Sequence, residues 1–185
     1  SGSLIQLSPN SLLAGGFGSQ IVGGSSFPVN EGIAGKNTII GGGGNKMLFN
    51  NYSSYFSNTI VGGDSNTVGH VSNNESLFTQ NSIVGGNNSV ILAGNYGTIV
   101  GGEDNVISGS FANFAQTIVG GTGNTLNNSN RGMIIGGRNN TVTHEYSVVL
   151  GMDGFTSTAT NTVFVQNLDV AGSLIVNEIT SSIIS

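Results

Sequence analysis

The chain has 185 residues, a net charge of -5, 31 glycines, two prolines and no cysteine. Its only cations besides any chain terminus are Lys36, Lys46, Arg131 and Arg138, so the basic footprint of a nucleic-acid binder is absent. Without cysteine there is no disulfide framework or thiol chemistry, and no apolar stretch approaches the ~20 residues of a membrane-spanning helix.

Two prolines exclude collagen despite the glycine content. Charged residues make up 7% of the chain, against about 25% in ordinary globular domains, and so little charge argues for order. Ser1-Gly2-Ser3 lacks Met and reads as a tag scar, with residues 1–11 forming a lead-in. The sequence ends inside an apolar pattern at Ile183-Ile184, as expected for a piece of a longer protein.

From Leu12 onward the sequence repeats. Ile-Val-Gly-Gly or Ile-Ile-Gly-Gly begins at Ile21, Ile39, Ile60, Ile83, Ile99, Ile118 and Ile134, with a worn copy at Val149-Leu150-Gly151-Met152. Gly pairs at Gly23, Gly41, Gly62, Gly85, Gly101, Gly120, Gly136 and the lone Gly151 give spacings of 18, 21, 23, 16, 19, 16 and 15. Short units that repeat in this way stack into a solenoid. Two short strands and two turns fill the shortest coil, and longer coils carry insertions. One strand is the aliphatic pair. An apolar residue after Asn marks the other: Val68, Val90, Ile107, Leu126 and Val142. Gly pairs and β-branched residues exclude a helix in each repeat.

Gly-Gly suits a corner with positive φ, and Asn suits a second corner, where it tolerates the left-handed region and bonds backbone. Neighbouring strand residues point to opposite faces. Ile60 and Val61 therefore cannot share one interior, and a second chain most simply covers the outer member of each pair. Cyclic association predicts a homotrimer, with a dimer as the alternative.

The Ser/Thr-aliphatic-aliphatic-Gly unit and its coil length resemble the YadA-type heads of trimeric autotransporter adhesins, over about Leu12 to Gly154. The resemblance implies a left-handed parallel β-roll wound into a trimer, a form shared with phage and viral fibres. Coil lengths here are less regular, and the adhesin neck sequence does not follow. Residues 155–185 are expected to form a stem instead: Leu168, Val170, Gly172, Leu174 and Val176 alternate as one face of a strand, while Ile175, Ile179 and Ile183 could begin a helical seam. This segment resembles phage tail-fibre stems.

The candidate chemistry is sparse. An internal, repeated Ile-Val-Gly-Gly without cysteine or a nucleophile is not the activated end of a trypsin-like protease. Asp64, Glu103 and Asp104 fall at one corner, where solvated turns favour Asp; a glycosidase acid would need burial to raise its pKa. His70 and His144 lie four coils apart, too far to share a metal, and read as solvated. No metal site and no cofactor is expected. Thr38, Thr59, Thr98 and Thr117 align in a single rank that Ser82 and Met133 interrupt, which disfavours an ice-binding face. Asn-x-Ser/Thr sequons are expected by chance in such a chain. Aromatic residues gather in the insertions. Tyr52, Tyr55, Phe56, Phe78, Phe111 and Phe114 are candidates for receptor contact, unless they fold back on the solenoid or pack at the trimer interface.

These readings, with the resemblance, imply an all-β parallel solenoid of two-stranded coils and a non-enzymatic, receptor-binding segment of a phage or viral fibre. Its expected setting is extracellular, on a virion or a bacterial surface. Its expected partners are its own copies and a host-cell surface glycan or protein, with no nucleic acid and no membrane insertion. A bacterial adhesin head is the alternative; an ice-binding solenoid and a polysaccharide depolymerase are more distant ones.

Overall fold

A computed structural model of the chain describes residues 2, 4–6, 11–22, 36–48, 55–69, 78–92, 95–109, 115–173 and 175. Short strands stack into two long parallel sheets. Sheet I holds eight strands: Leu4–Gln6, Gln20–Val22, Lys46–Leu48, Thr67–Gly69, Val90–Leu92, Val106–Ser108, Thr125–Asn127 and Thr141–Val142. Sheet II holds nine: Leu12–Ala14, Thr38–Ile40, Thr59–Val61, Ser82–Val84, Thr98–Val100, Thr117–Val119, Met133–Ile135, Val148–Leu150 and Val163–Val165. Among the described residues there is no helix. The chain is an all-β parallel solenoid, and its ladders run past both ends of the span 12–154 that the repeats mark out.

Register follows the repeat. Ile60 pairs with Ile83, Ile83 with Ile99, Ile99 with Ile118 and Ile118 with Ile134. A mismatched register would move each inward side chain to the opposite face. In sheet II the middle residue points inward and its neighbours point outward, so Ile60 is fully buried while Val61 is 37% exposed. The inward column of sheet I is Ile21, Met47, Val68, Ile91, Ile107, Leu126 and Val142. Val90 lies in the strand it marks, and Ile91 is the inward residue there: Val90 stands opposite Thr67 on the outer face. The apolar run Val90-Ile91-Leu92 hides this phase in the sequence. Each buried aliphatic contributes about 1.5–3 kcal/mol.

Polar ladders run beside the aliphatic columns. Asn45, Asn66, Asn105, Asn124 and Asn140 are fully buried at the Gly-Gly corner. Asn66 accepts the Ser89 N–H (3.0 Å) through Oδ1 and donates through Nδ2 to Gly86 O (3.1 Å). A second amide ladder precedes sheet II, where Asn37 Oδ1 accepts from Asn58 N–H (3.2 Å), and Asn58 Oδ1 from Asn81 N–H (2.9 Å). The expected division between a glycine corner and an asparagine corner therefore needs correction. Asn66 shares its turn with Gly62 and Gly63, and the left-handed residue beside it is Ser65, with φ 56°. Asn is required here for its amide, which satisfies buried backbone groups that would otherwise lose their hydrogen bonds.

Beyond Val165, residues 166–173 and 175 form no strand, and Leu168, Val170 and Ile175 are exposed. The expected alternating strand is absent from these residues because alternation makes a strand only where a neighbour supplies the ladder. Phe155 and Phe164, with ring centroids 4.9 Å apart, pack against the end of the core.

Candidate functional site

The regular surface with the fewest charges is the outer face of sheet II. Two ranks flank the buried isoleucines. One holds Thr38, Thr59, Ser82, Thr98, Thr117 and Met133, all half-buried. The other holds Ile40, Val61, Val84, Val100, Val119 and Ile135, each more than a third exposed. The threonines thus form one rank beside an aliphatic rank, as their sequence register implies. No charged residue lies in either rank.

At the Gly-Gly corner, single bridges connect Gly43, Asp64, Asn87, Glu103, Thr122, Arg138 and Asp153 in successive coils. This brings Asp64 and Glu103 into one stripe, two coils apart, as their repeat positions imply. The carboxylates are exposed and bonded locally: Asn88 Nδ2 donates to Asp104 Oδ1 (2.6 Å), and Ser65 Oγ to Asp64 Oδ2 (3.2 Å). None has the burial a catalytic acid needs. Arg138 forks onto Asp153 through Nε (3.2 Å) and Nη2 (2.6 Å). The hydrogen bond from Arg138 holds the Asp153 carboxyl below its ordinary 3.8; desolvation opposes this, and the guanidinium charge reinforces it.

His144 is half-buried, with Nδ1 2.9 Å from Ser157 Oγ and 3.2 Å from Thr143 Oγ1. It is thus tied between coils, in place of the solvated histidine expected, because buried Ser157 lies beside it in the next coil. His70 lies outside the described residues. Among the described residues no group of three or more His, Cys, Asp or Glu could hold a metal ion, and no helix is long and apolar enough to cross a membrane.

Of the aromatic candidates, Tyr55–Phe56 and Phe78–Thr79 pair as a small separate parallel sheet, Tyr55 opposite Phe78. Tyr52, Phe111 and Phe114 lie outside the described residues. Among the repeat glycines, Gly41, Gly62, Gly85, Gly101, Gly120 and Gly136 have φ between 65° and 69°; Gly23 lies outside the described residues.

Sequence reasoning missed another corner, immediately before sheet II. Tyr96, Ala115, Arg131, Tyr146 and Asn161 all have positive φ there, between 54° and 59°. Tyr96 and Tyr146 are exposed, and the Arg131 guanidinium lies 5.3 Å from the Tyr146 ring centroid. These residues are spaced by 19, 16, 15 and 15, close to the Gly-Gly periodicity. Their differing side chains conceal the shared position.

No protein-family model matches the chain, and no curated protein matches it. Among solved structures it is similar to the polySia-specific acetyltransferase NeuO, at 14% identity and a TM-score of 0.37, covering 89% of this chain and 86% of that one. The repeat leads to the expectation of a non-enzymatic fibre segment or adhesin head, whereas the solved structure the chain is similar to is that of an enzyme. That finding overturns the non-enzymatic expectation and the fibre and adhesin readings with it. The physical reason is that a stack of pairing ladders serves enzymes as readily as fibres, so the repeat carries no information about activity. No acetyltransferase site is transferred from a likeness at this level. By its own strand pairing, the chain is an all-β parallel β-solenoid repeat protein.

Proposed function

We propose that this solenoid is an assembly module whose copies join, parallel and in register, as a homotrimer through the aliphatic rank of sheet II. The observation that carries the reading is the unbroken outer column Ile40, Val61, Val84, Val100, Val119 and Ile135. Leu150 and Val165 continue it. At ~4.8 Å per coil, the eight residues from Ile40 to Val165 extend about 34 Å, and an apolar stripe of that length marks an interaction surface.

A second copy offers the same axial spacing, so a contact that fits in one coil fits in all. Around a threefold axis each residue meets its own equivalents. A charge in the column would face a like charge, which is costly, and this face has none. The threonine rank supplies the polar rim such an interface needs. The finer likeness of the coil to YadA-type β-rolls, which wind as trimers, supports this architecture.

Light scattering is expected to give three times the 18.8 kDa chain mass. Replacing Val100 and Val119 with Lys should give a monomer with unchanged far-ultraviolet circular dichroism. A wild-type monomer or dimer, or a double variant that still forms trimers, would sink the proposal.

A further inference from the structure

The corner before sheet II carries side chains that its backbone does not favour. Ala115 N–H donates to Asn95 O (3.1 Å), Tyr146 N–H to Asn130 O (2.9 Å), and Asn161 N–H to Glu145 O (3.1 Å). Together with the shared φ, these bonds place Tyr96, Ala115, Arg131, Tyr146 and Asn161 at one position in successive coils. The equivalent left-handed positions at the Gly-Gly corner hold Gly44, Ser65, Asn88, Asp104, Gly123, Asn139 and Gly154. Glycine and short polar side chains tolerate that conformation, whereas bulky ones are strained. Two tyrosines and an arginine at such positions point to a use other than stability.

Exposure gives that use a chemistry. Tyr96 and Tyr146 are 45% and 43% exposed. They stand three coils apart, about 14 Å along the rod, with Ala115 leaving low relief between them. Arg131 lies over Tyr146, and Asn161 extends the row by one coil. The row borders the threonine rank, at the opposite end of the sheet II strands from the aliphatic rank, so it does not depend on the proposed assembly.

We propose that this ladder binds an extended acidic polysaccharide lying along the rod. Sugar C–H faces stack on Tyr96 and Tyr146, a sugar carboxylate pairs with Arg131, and hydroxyls meet the Asn161 amide. Tyr provides a large amphipathic contact at low entropy cost, and Arg matches a carboxylate with a two-pronged donor set. Other ligand classes fit less well. A nucleic acid would need far more cations than the four here. An added peptide strand needs free backbone donors, and the bonds between coils already engage those of Ala115, Tyr146 and Asn161. A folded protein needs about 800 Å² per partner, more than a stripe one residue wide offers.

The chain has four tyrosines and no tryptophan, so tyrosine fluorescence can follow a titration of the intact protein. The probes are the hexamers of galacturonic acid and of glucose. We expect saturable binding with preference for the uronate. Tyr96→Gly and Tyr146→Gly should each weaken it at least tenfold while Tm stays unchanged or rises, because glycine relieves the strained backbone. Arg131→Gln should abolish the preference for the acidic hexamer. No saturable uronate binding, unweakened binding in the tyrosine variants, or a loss of binding accompanied by a fall in Tm would each overturn the proposal. The last result would assign the rings to packing.

Discussion

Replacing Asn105 with Leu tests what holds the coils together. Asn105 is fully buried near the middle of the stack. Its Oδ1 accepts the Asn124 N–H (3.0 Å), and its Nδ2 lies 3.3 Å from Gly120 O, 3.1 Å from Gly121 O and 3.5 Å from Gly101 O. Leu nearly conserves the volume and fills the space, so the loss isolates hydrogen bonding. Gly121 O retains the Glu103 N–H as a donor (3.0 Å). The Asn124 N–H and the Gly120 and Gly101 carbonyls lose the bonds made by Asn105. At ~1–3 kcal/mol per buried group left unsatisfied, these three groups give an expected loss of about 3–9 kcal/mol, a large share of a typical domain's ~5–15 kcal/mol. Urea unfolding measures it, with Asn87→Ala as the exposed control at the same corner, expected within about 0.5 kcal/mol of wild type. A loss below about 1 kcal/mol for Asn105→Leu would refute the ladder as a source of stability. Asn105→Asp adds a pH test. Burial raises the carboxyl pKa in the folded state, so any recovery should be full below the unfolded value of ~3.9 and lost as pH rises through the folded value. A variant that instead gains stability as pH rises would contradict that burial.

Adjacent glycines should respond differently to alanine. A Cβ on Gly62 meets open space, so Gly62→Ala carries only the left-handed strain of about 1–2 kcal/mol. A Cβ on Gly63 would collide with Gly86 O and the Asn66 amide, and Gly63→Ala should cost more than about 3 kcal/mol; equal urea midpoints would count against the close packing of these corners. The Arg138–Asp153 pair should also show in acid. Because the folded Asp153 pKa is depressed, its contribution to stability is present above 3.8 and disappears as pH falls through the lowered value. Arg138→Ala should move the carbon-13 titration midpoint of the Asp153 carboxyl up towards 3.8, and an unmoved midpoint would show that the pair does not form in solution.

Much of the scaffold is legible in the repeat. Ile60 and Val61 face opposite ways because strand geometry alternates, and the structure buries one and exposes the other. Such local rules apply in each coil separately and need no knowledge of distant residues. Phase is harder to read where the residues are uniformly apolar. In Val90-Ile91-Leu92, only pairing with Thr67-Val68-Gly69 decides that Ile91 points inward. The work of Asn66 was hidden for a related reason: turn preference and buried amide bonding call for the same residue, and only the packed coils distinguish them.

The functional surfaces separate along the same line. By itself the sequence determined a parallel solenoid and the two-sided aliphatic pair, because both follow from local periodicity. Tertiary structure alone aligned Tyr96, Arg131 and Tyr146 on one exposed edge and tied His144 to Ser157. Unequal insertions separate equivalent positions along the chain, and stacking restores their register in space.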